Sequence, residues 1–123
     1  MTGSILISLL ERRLDNVIYR LCLGSSRNDA RQIVSHKHVL VNGQPLNIPS
    51  YQVKPGDKIE IREKSKKLQR INEALQFRSR RGVPEWLSLD EENYSGTVLR
   101  QPERDDVTFP IDEQLVVEFY SRV

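Results

Sequence analysis

From Ile5 to Leu23 the apolar residues Leu6, Leu9, Leu10, Leu14, Val17, Ile18 and Leu21 recur in steps of three and four, the spacing of one buried helical stripe. The pattern predicts a single amphipathic helix over 5–23, stopped at Gly24, with Arg12, Arg13 and Arg20 on its outer side. A second helix starts at Ser26, whose hydroxyl suits the freed backbone amides, and Asp29 three residues on answers as the other half of a capping box. Ala30, Ile33 and Val34 then share one side, while Arg27, Arg31 and Ser35 recur every fourth residue on another, so one side packs and the other stays basic. Ser35-His36-Lys37-His38 ends this helix. Val39-Leu40-Val41 followed by Asn42-Gly43 predicts a strand entering a two-residue hairpin of the kind that needs positive backbone dihedrals.

Pro45, Pro49 and Pro55-Gly56-Asp57 punctuate short extended segments, and Lys58-Ile59-Glu60-Ile61-Arg62 alternates as a half-buried strand does. Leu68, Ile71, Ala74 and Leu75 mark a third helix. After the break at Gly82-Val83-Pro84, the segments Trp86–Leu89, Gly96–Leu99 and Leu115–Tyr120 read as strands joined by polar turns. Trp86, Phe109, Phe119 and Tyr120 are assigned to the core. The fold class is therefore α+β: a helix–helix–hairpin module joined to a small, mainly antiparallel sheet with a third helix.

With 123 residues the chain has room for one domain and a modest core. The single Cys22, between Leu21 and Leu23, reads as a small buried hydrophobe in a reducing compartment. Ile5–Leu10 is too short to span a bilayer and has neither a basic flank nor a cleavage pattern, so a cytoplasmic protein without membrane contact is expected. Charge changes the picture more. The net +2 hides a division in which residues 1–84 carry 16 Lys or Arg against 7 Asp or Glu, and residues 85–123 carry 3 against 10. A polyanion should meet the first part. The densest positive run is Lys64, Lys66, Lys67, Arg70, Arg78, Arg80 and Arg81, with Glu73 as its one acid.

His36 and His38 flank Lys37 in a way that raises the question of a metal pair. Zinc wants three or four ligands, and no Cys, Asp or Glu lies close in sequence, so no metal or other cofactor is expected. Ser35 beside His36 lacks a third group to orient a base, and no enzyme and no small-molecule substrate are expected either. Imidazoles in such an elbow suit phosphate or base contact, with Lys37 as a mobile charge between them. Asn42 needs no role beyond its turn. Arg12 and Arg13 stay open between pairing with Glu11 and Asp15 and extending the basic face.

Leu14-Asp15-Asn16-Val17-Ile18-Tyr19-Arg20, Arg31–His36, Val41-Asn42-Gly43, Asn47-Ile48-Pro49-Ser50-Tyr51, Arg62–Lys66, Pro102-Glu103-Arg104 and Val117–Arg122 together resemble the bacterial ribosomal protein S4 family, in order and over nearly the whole chain. Family members carry a basic helical region ahead of the Leu10–Leu14 block, whereas Met1-Thr2-Gly3 stands close before it here, so a truncated form is expected. The resemblance implies a remnant of that region in 1–11, an S4-type RNA-binding module of the αL kind in 12–75, and an acidic sheet in 76–123 completing the same unit. It implies direct binding of small-subunit rRNA at a junction in the 5′ domain, with no reaction catalysed. It also implies early assembly of the subunit body, a part in translational accuracy, contact with neighbouring proteins including protein five, and binding of its own messenger RNA. Arg27, Arg31, Gln32, Ser35, His36, Lys37 and His38 match the family pattern at its RNA face, and the 47–51 stretch lies near nucleic acid in the family. The expected RNA-binding set adds Arg12, Arg13, Asn42, Asn47, Ser50, Tyr51, Lys64, Lys66, Lys67 and Arg70. An RNA-binding module of this kind from a heat-shock or RNA-modification protein, and a protein-interaction domain, are the alternatives.

Overall fold

The computed structural model describes residues 3–76 and 82–102. Its elements run α1 (Gly3–Glu11), α2 (Leu14–Arg20), α3 (Arg27–Ser35), β1 (Val39–Val41), β2 (Gln44–Pro45), β3 (Lys58–Ile61), a 3-10 turn (Glu63–Ser65), α4 (Gln69–Gln76), β4 (Leu87–Asp90) and β5 (Ser95–Val98). The five strands form one sheet in the order β2-β1-β3-β5-β4, and every pairing is antiparallel. The α+β expectation holds. The Leu115–Tyr120 strand and the core assignments of Phe109, Phe119 and Tyr120 lie outside the described residues, as do Arg78, Arg80 and Arg81.

The single helix expected over 5–23 is two helices. Arg13 has φ −63° and ψ 140°, an extended conformation, and forms an antiparallel bridge with Gln52. The Val53 amide donates to the Arg12 carbonyl at 2.9 Å, and the Leu14 amide donates to the Tyr51 carbonyl at 2.8 Å. A partner strand some 40 positions downstream thus captures backbone groups that would otherwise continue the helix. Gly24 does not end α2 either. Cys22 takes the left-handed conformation (φ 63°), its amide bonds the Tyr19 carbonyl, and the Leu23 amide bonds the Ile18 carbonyl, a Schellman closure two residues earlier. Gly24 has another reason to be glycine: a Cβ there would stand 2.9 Å from the Ala30 Cβ.

α3 folds as its pattern predicts. The Asp29 amide donates to the Ser26 hydroxyl at 3.0 Å, and Ala30, Ile33 and Val34 are buried while Arg31, Gln32 and Ser35 are exposed. The return half of the cap differs: Asp29 accepts from the amide and hydroxyl of Ser25, at 3.0 and 3.2 Å, not from Ser26. Asn42 (φ 51°) and Gly43 (φ 81°) form the two-residue hairpin between β1 and β2. Lys54 to Asp57 closes a turn with Gly56 at φ 91° behind Pro55.

One core unites these pieces. Leu14, Val17, Ile18 and Leu21 of α2 meet Ile33 and Val34 of α3, Ile59 and Ile61 of β3, Ile71 of α4, and Trp86 and Val98 beside the far strands. Cys22 is fully buried within it, as the sequence indicates. Gly96 marks where the β4–β5 hairpin closes on α2, because a Cβ there would lie 2.5 Å from the Leu21 Cδ2. Leu21 has no exposed surface into which to retreat. Gly96→Val should therefore cost about 1–3 kcal/mol through overpacking, read as a lower denaturation midpoint with unchanged slope.

Candidate nucleic-acid interface

The end of α3 sets the geometry of the exposed basic surface. Lys37 stands in the left-handed conformation (φ 66°), its amide bonding the Val34 carbonyl and the His38 amide bonding the Ile33 carbonyl. This is a second Schellman closure with a non-glycine residue at the strained position. Chain direction then reverses at once into β1. Pairing of Val39 with Ile61 brings the end of β3 beside the elbow, where the Arg62 amide donates to the His38 carbonyl at 2.8 Å. The Arg62 Nη1 donates to the Lys37 carbonyl at 3.2 Å. The elbow is therefore held from both ends.

Three groups of side chains share this region. On α3, Arg31, Gln32 and Ser35 are exposed, followed by exposed His36 and Lys37. Arg27 is positioned from behind: its Nε donates to the Asn16 Oδ1 at 3.2 Å, and its guanidinium lies 4.7 Å above the Tyr19 ring. Burial lowers the Arg27 pKa, and repulsion from Arg20 lowers it further against the opposing pull of Glu11, Tyr19 and Asp15. The guanidinium nonetheless stays charged at neutral pH. Behind it, Asn16 donates to the Glu11 carbonyl and carboxylate at 2.7 and 3.0 Å, and Glu11 pairs with Arg20 at 2.8 Å.

The second group is His38 and its neighbours, where the imidazole Nδ1 stands 2.7 Å from the Ser65 hydroxyl and the His36 ring approaches edge-on with centroids 6.3 Å apart. The third runs from Lys64 to Arg70. Lys64 and Lys67 are exposed. Lys66 pairs with Glu63 at 2.9 Å and lies 5.9 Å over the Tyr94 ring, whose hydroxyl bonds Asn72. Arg70 reaches Asp29 at 3.6 Å, which ties α4 to the first turn of α3.

Other members of the expected set are placed differently. Arg13 is 5% exposed and its guanidinium forms two 3.2 Å bonds to Asp15, so pairing, not surface display, is its geometry. Arg12 is half-buried, with an Nε that has no protein partner among the described residues. Asn42 serves its turn, donating to Asp57 at 3.0 Å and accepting from the Lys58 amide at 2.9 Å. Tyr51 is half-buried against the core, and burial followed by the nearby Asp57 carboxylate raises its pKa. Asn47 and Ser50 are exposed on the loop after β2. Arg62, Asn16 and Tyr19 were not in the expected set. For Arg62 the signal was available, since antiparallel pairing of the Val39-Leu40-Val41 and Lys58–Arg62 segments places Arg62 opposite the elbow.

No helix among the described residues is long and apolar enough to cross a membrane. Residues 12–59 match the S4 domain model, a stretch that takes in α2, α3, the elbow, the hairpin and the start of β3. The chain is 54% identical over 121 residues to the small ribosomal subunit protein uS4 of Anaeromyxobacter sp. strain K, covering 98% of this chain and 58% of that protein. It is 55% identical over 122 residues to the uS4 proteins of Desulfosudis oleivorans and Pelobacter propionicus, covering 99% of this chain and 59% of each. The chain thus spans somewhat under three fifths of the length of the curated relatives it matches. Over that span, with its S4 domain match and this level of identity, it resembles the uS4 family of small ribosomal subunit proteins.

Proposed function

We propose that this chain binds small-subunit rRNA directly, at a helical junction of the 5′ domain, through the α3 face, the elbow and the Lys64–Arg70 segment. The observation that carries this reading is the pair Arg31 and Lys37, exposed and without an ion-pair partner among the described residues, on a rigid helix–turn–strand unit inside the S4 domain match. Arg27, His36, His38, Lys64, Lys67 and Arg70 extend the same surface, and Gln32, Ser35, Asn47 and Ser50 add uncharged donors. A-form RNA hides its base edges in a deep groove, so such a unit reads phosphate spacing and loop bases. The act is binding with no reaction catalysed. It nucleates assembly of the subunit body in the cytoplasm and contributes to translational accuracy, alongside neighbouring proteins including protein five, with its own messenger RNA as a second target. Residues 12–75 serve as the RNA-binding module and 76–123 as an acidic extension of the same unit, a joining supported by the β3–β5 pairing.

The test is a binding series against the 5′ domain of bacterial small-subunit rRNA and an unrelated structured RNA of equal length, at several salt concentrations. Preferential binding to the first is expected. With about five to eight phosphate contacts, log affinity should fall with log salt at a slope of about 4 to 7. Equal weak binding to both RNAs, or affinity indifferent to salt, would sink the reading.

A further inference from the structure

We propose that His38, Arg62 and Arg70 form a pocket for a single RNA phosphate, in which His38 takes up a proton as the phosphate enters. The proposal rests on the RNA-binding reading above and adds a proton to it. Titratable and charged groups act on the His38 ring from the elements around it: His36 from the end of α3, its ring edge-on with centroids 6.3 Å apart, Arg62 from the end of β3, whose amide bonds the His38 carbonyl, and Arg70 from α4. Asp29 on α3 pairs with Arg70 and accepts from Ser25, and Glu63 pairs with Lys66. Ser65 from the 3-10 turn is the ring's one hydrogen-bond partner among the described residues, at Nδ1. Nε2 is left for a ligand.

In the free protein this surrounding keeps the imidazole neutral. Burial comes first, then repulsion from Arg70, His36 and Arg62, and together they hold its pKa below 6.5. A phosphate reverses the balance, since one negative charge beside the ring offsets the cations and accepts from Nε2–H. The added proton sits on Nδ1. Ser65 can follow it, because its hydroxyl donates to a bare Nδ1 and accepts from a protonated one, so the 2.7 Å pair survives the change. Binding and proton uptake are then linked. Affinity must rise as pH falls across the interval between the free and the phosphate-bound pKa of His38.

The experiment measures affinity for the 5′-domain rRNA between about pH 7.5 and about pH 5.5. It adds calorimetry in two buffers of different protonation heat, on the wild-type chain and His38→Gln. Glutamine at 38 can still bond Ser65 but cannot titrate. Expected are a several-fold gain in wild-type affinity toward acid, at most about tenfold per pH unit for one proton, with net proton uptake. Both should be lost in His38→Gln. Wild-type affinity that ignores pH, or a pH dependence that persists in His38→Gln, would overturn the pocket while leaving the RNA reading intact. Absence of preferential rRNA binding at every pH would overturn that reading and the pocket with it.

Discussion

Replacing Asp15 by alanine is expected to cost about 3–5 kcal/mol of folding stability, a large share of the roughly 5–15 kcal/mol available to a domain of this size. Asp15 and Arg13 are 6% and 5% exposed, and the carboxylate meets both Nε and Nη2 of the guanidinium at 3.2 Å. Asp15 Oδ1 also accepts from the Asn16 amide at 2.7 Å, at the start of the helix that follows the break. Truncation removes both of these bonds to the buried guanidinium and the acceptor of the Asn16 amide, at the point where the chain leaves α1 and Arg13 pairs with Gln52. The check is urea unfolding followed by circular dichroism. A midpoint near that of the wild type would show that Arg13 finds water or another acceptor, and that the pair does not hold the break together. Arg13→Met combined with Asp15→Leu should recover much of the loss, because removing both charges leaves neither uncompensated.

The same region shows what the sequence displays and what it withholds. The pattern of α3 was legible because its signals are local: Ser26, Asp29 and a stripe of Ala30, Ile33 and Val34 act within nine residues. The Asn42-Gly43 turn was legible for the same reason, since few residue pairs accept two positive φ values. The break at Arg12–Arg13 was not, for Leu10, Leu14 and Val17 keep helical spacing straight across it. The competing partners are backbone groups of Tyr51 and Val53, and nothing in residues 5–23 records their approach. Cys22 in a left-handed conformation was hidden behind Gly24, a better residue for the purpose two positions later. At the interface, exposed cations could be read from charge, but charge alone does not separate Arg31 from Arg13. One is on the open side of α3 and the other is closed against Asp15, a difference made by tertiary pairing.

That separation yields the sharpest functional expectation. Arg31→Glu combined with Lys37→Glu should lower affinity for 5′-domain rRNA about a hundredfold or more, since charged hydrogen bonds of about 1.5–3 kcal/mol each give way to repulsion. It should also flatten the salt slope by about 1.5 to 2, one increment per lost phosphate contact. Stability should move little, within about 0.5 kcal/mol, because both side chains are exposed and glutamate meets the left-handed backbone at position 37 no worse than lysine does. Arg27 is a poorer site for such a test. A carboxylate there would enter the neighbourhood of Glu11, Asn16 and Asp15, and its effect on folding would mix with its effect on binding. The Arg13 and Asp15 variants supply the converse control: where they remain folded, their salt slope should equal that of the wild type, since both side chains are buried. If Arg31→Glu, Lys37→Glu kept the full affinity and slope while Asp15→Ala changed them, the RNA contact would have to lie on a different face, and the α3–elbow surface would be left with only its structural role.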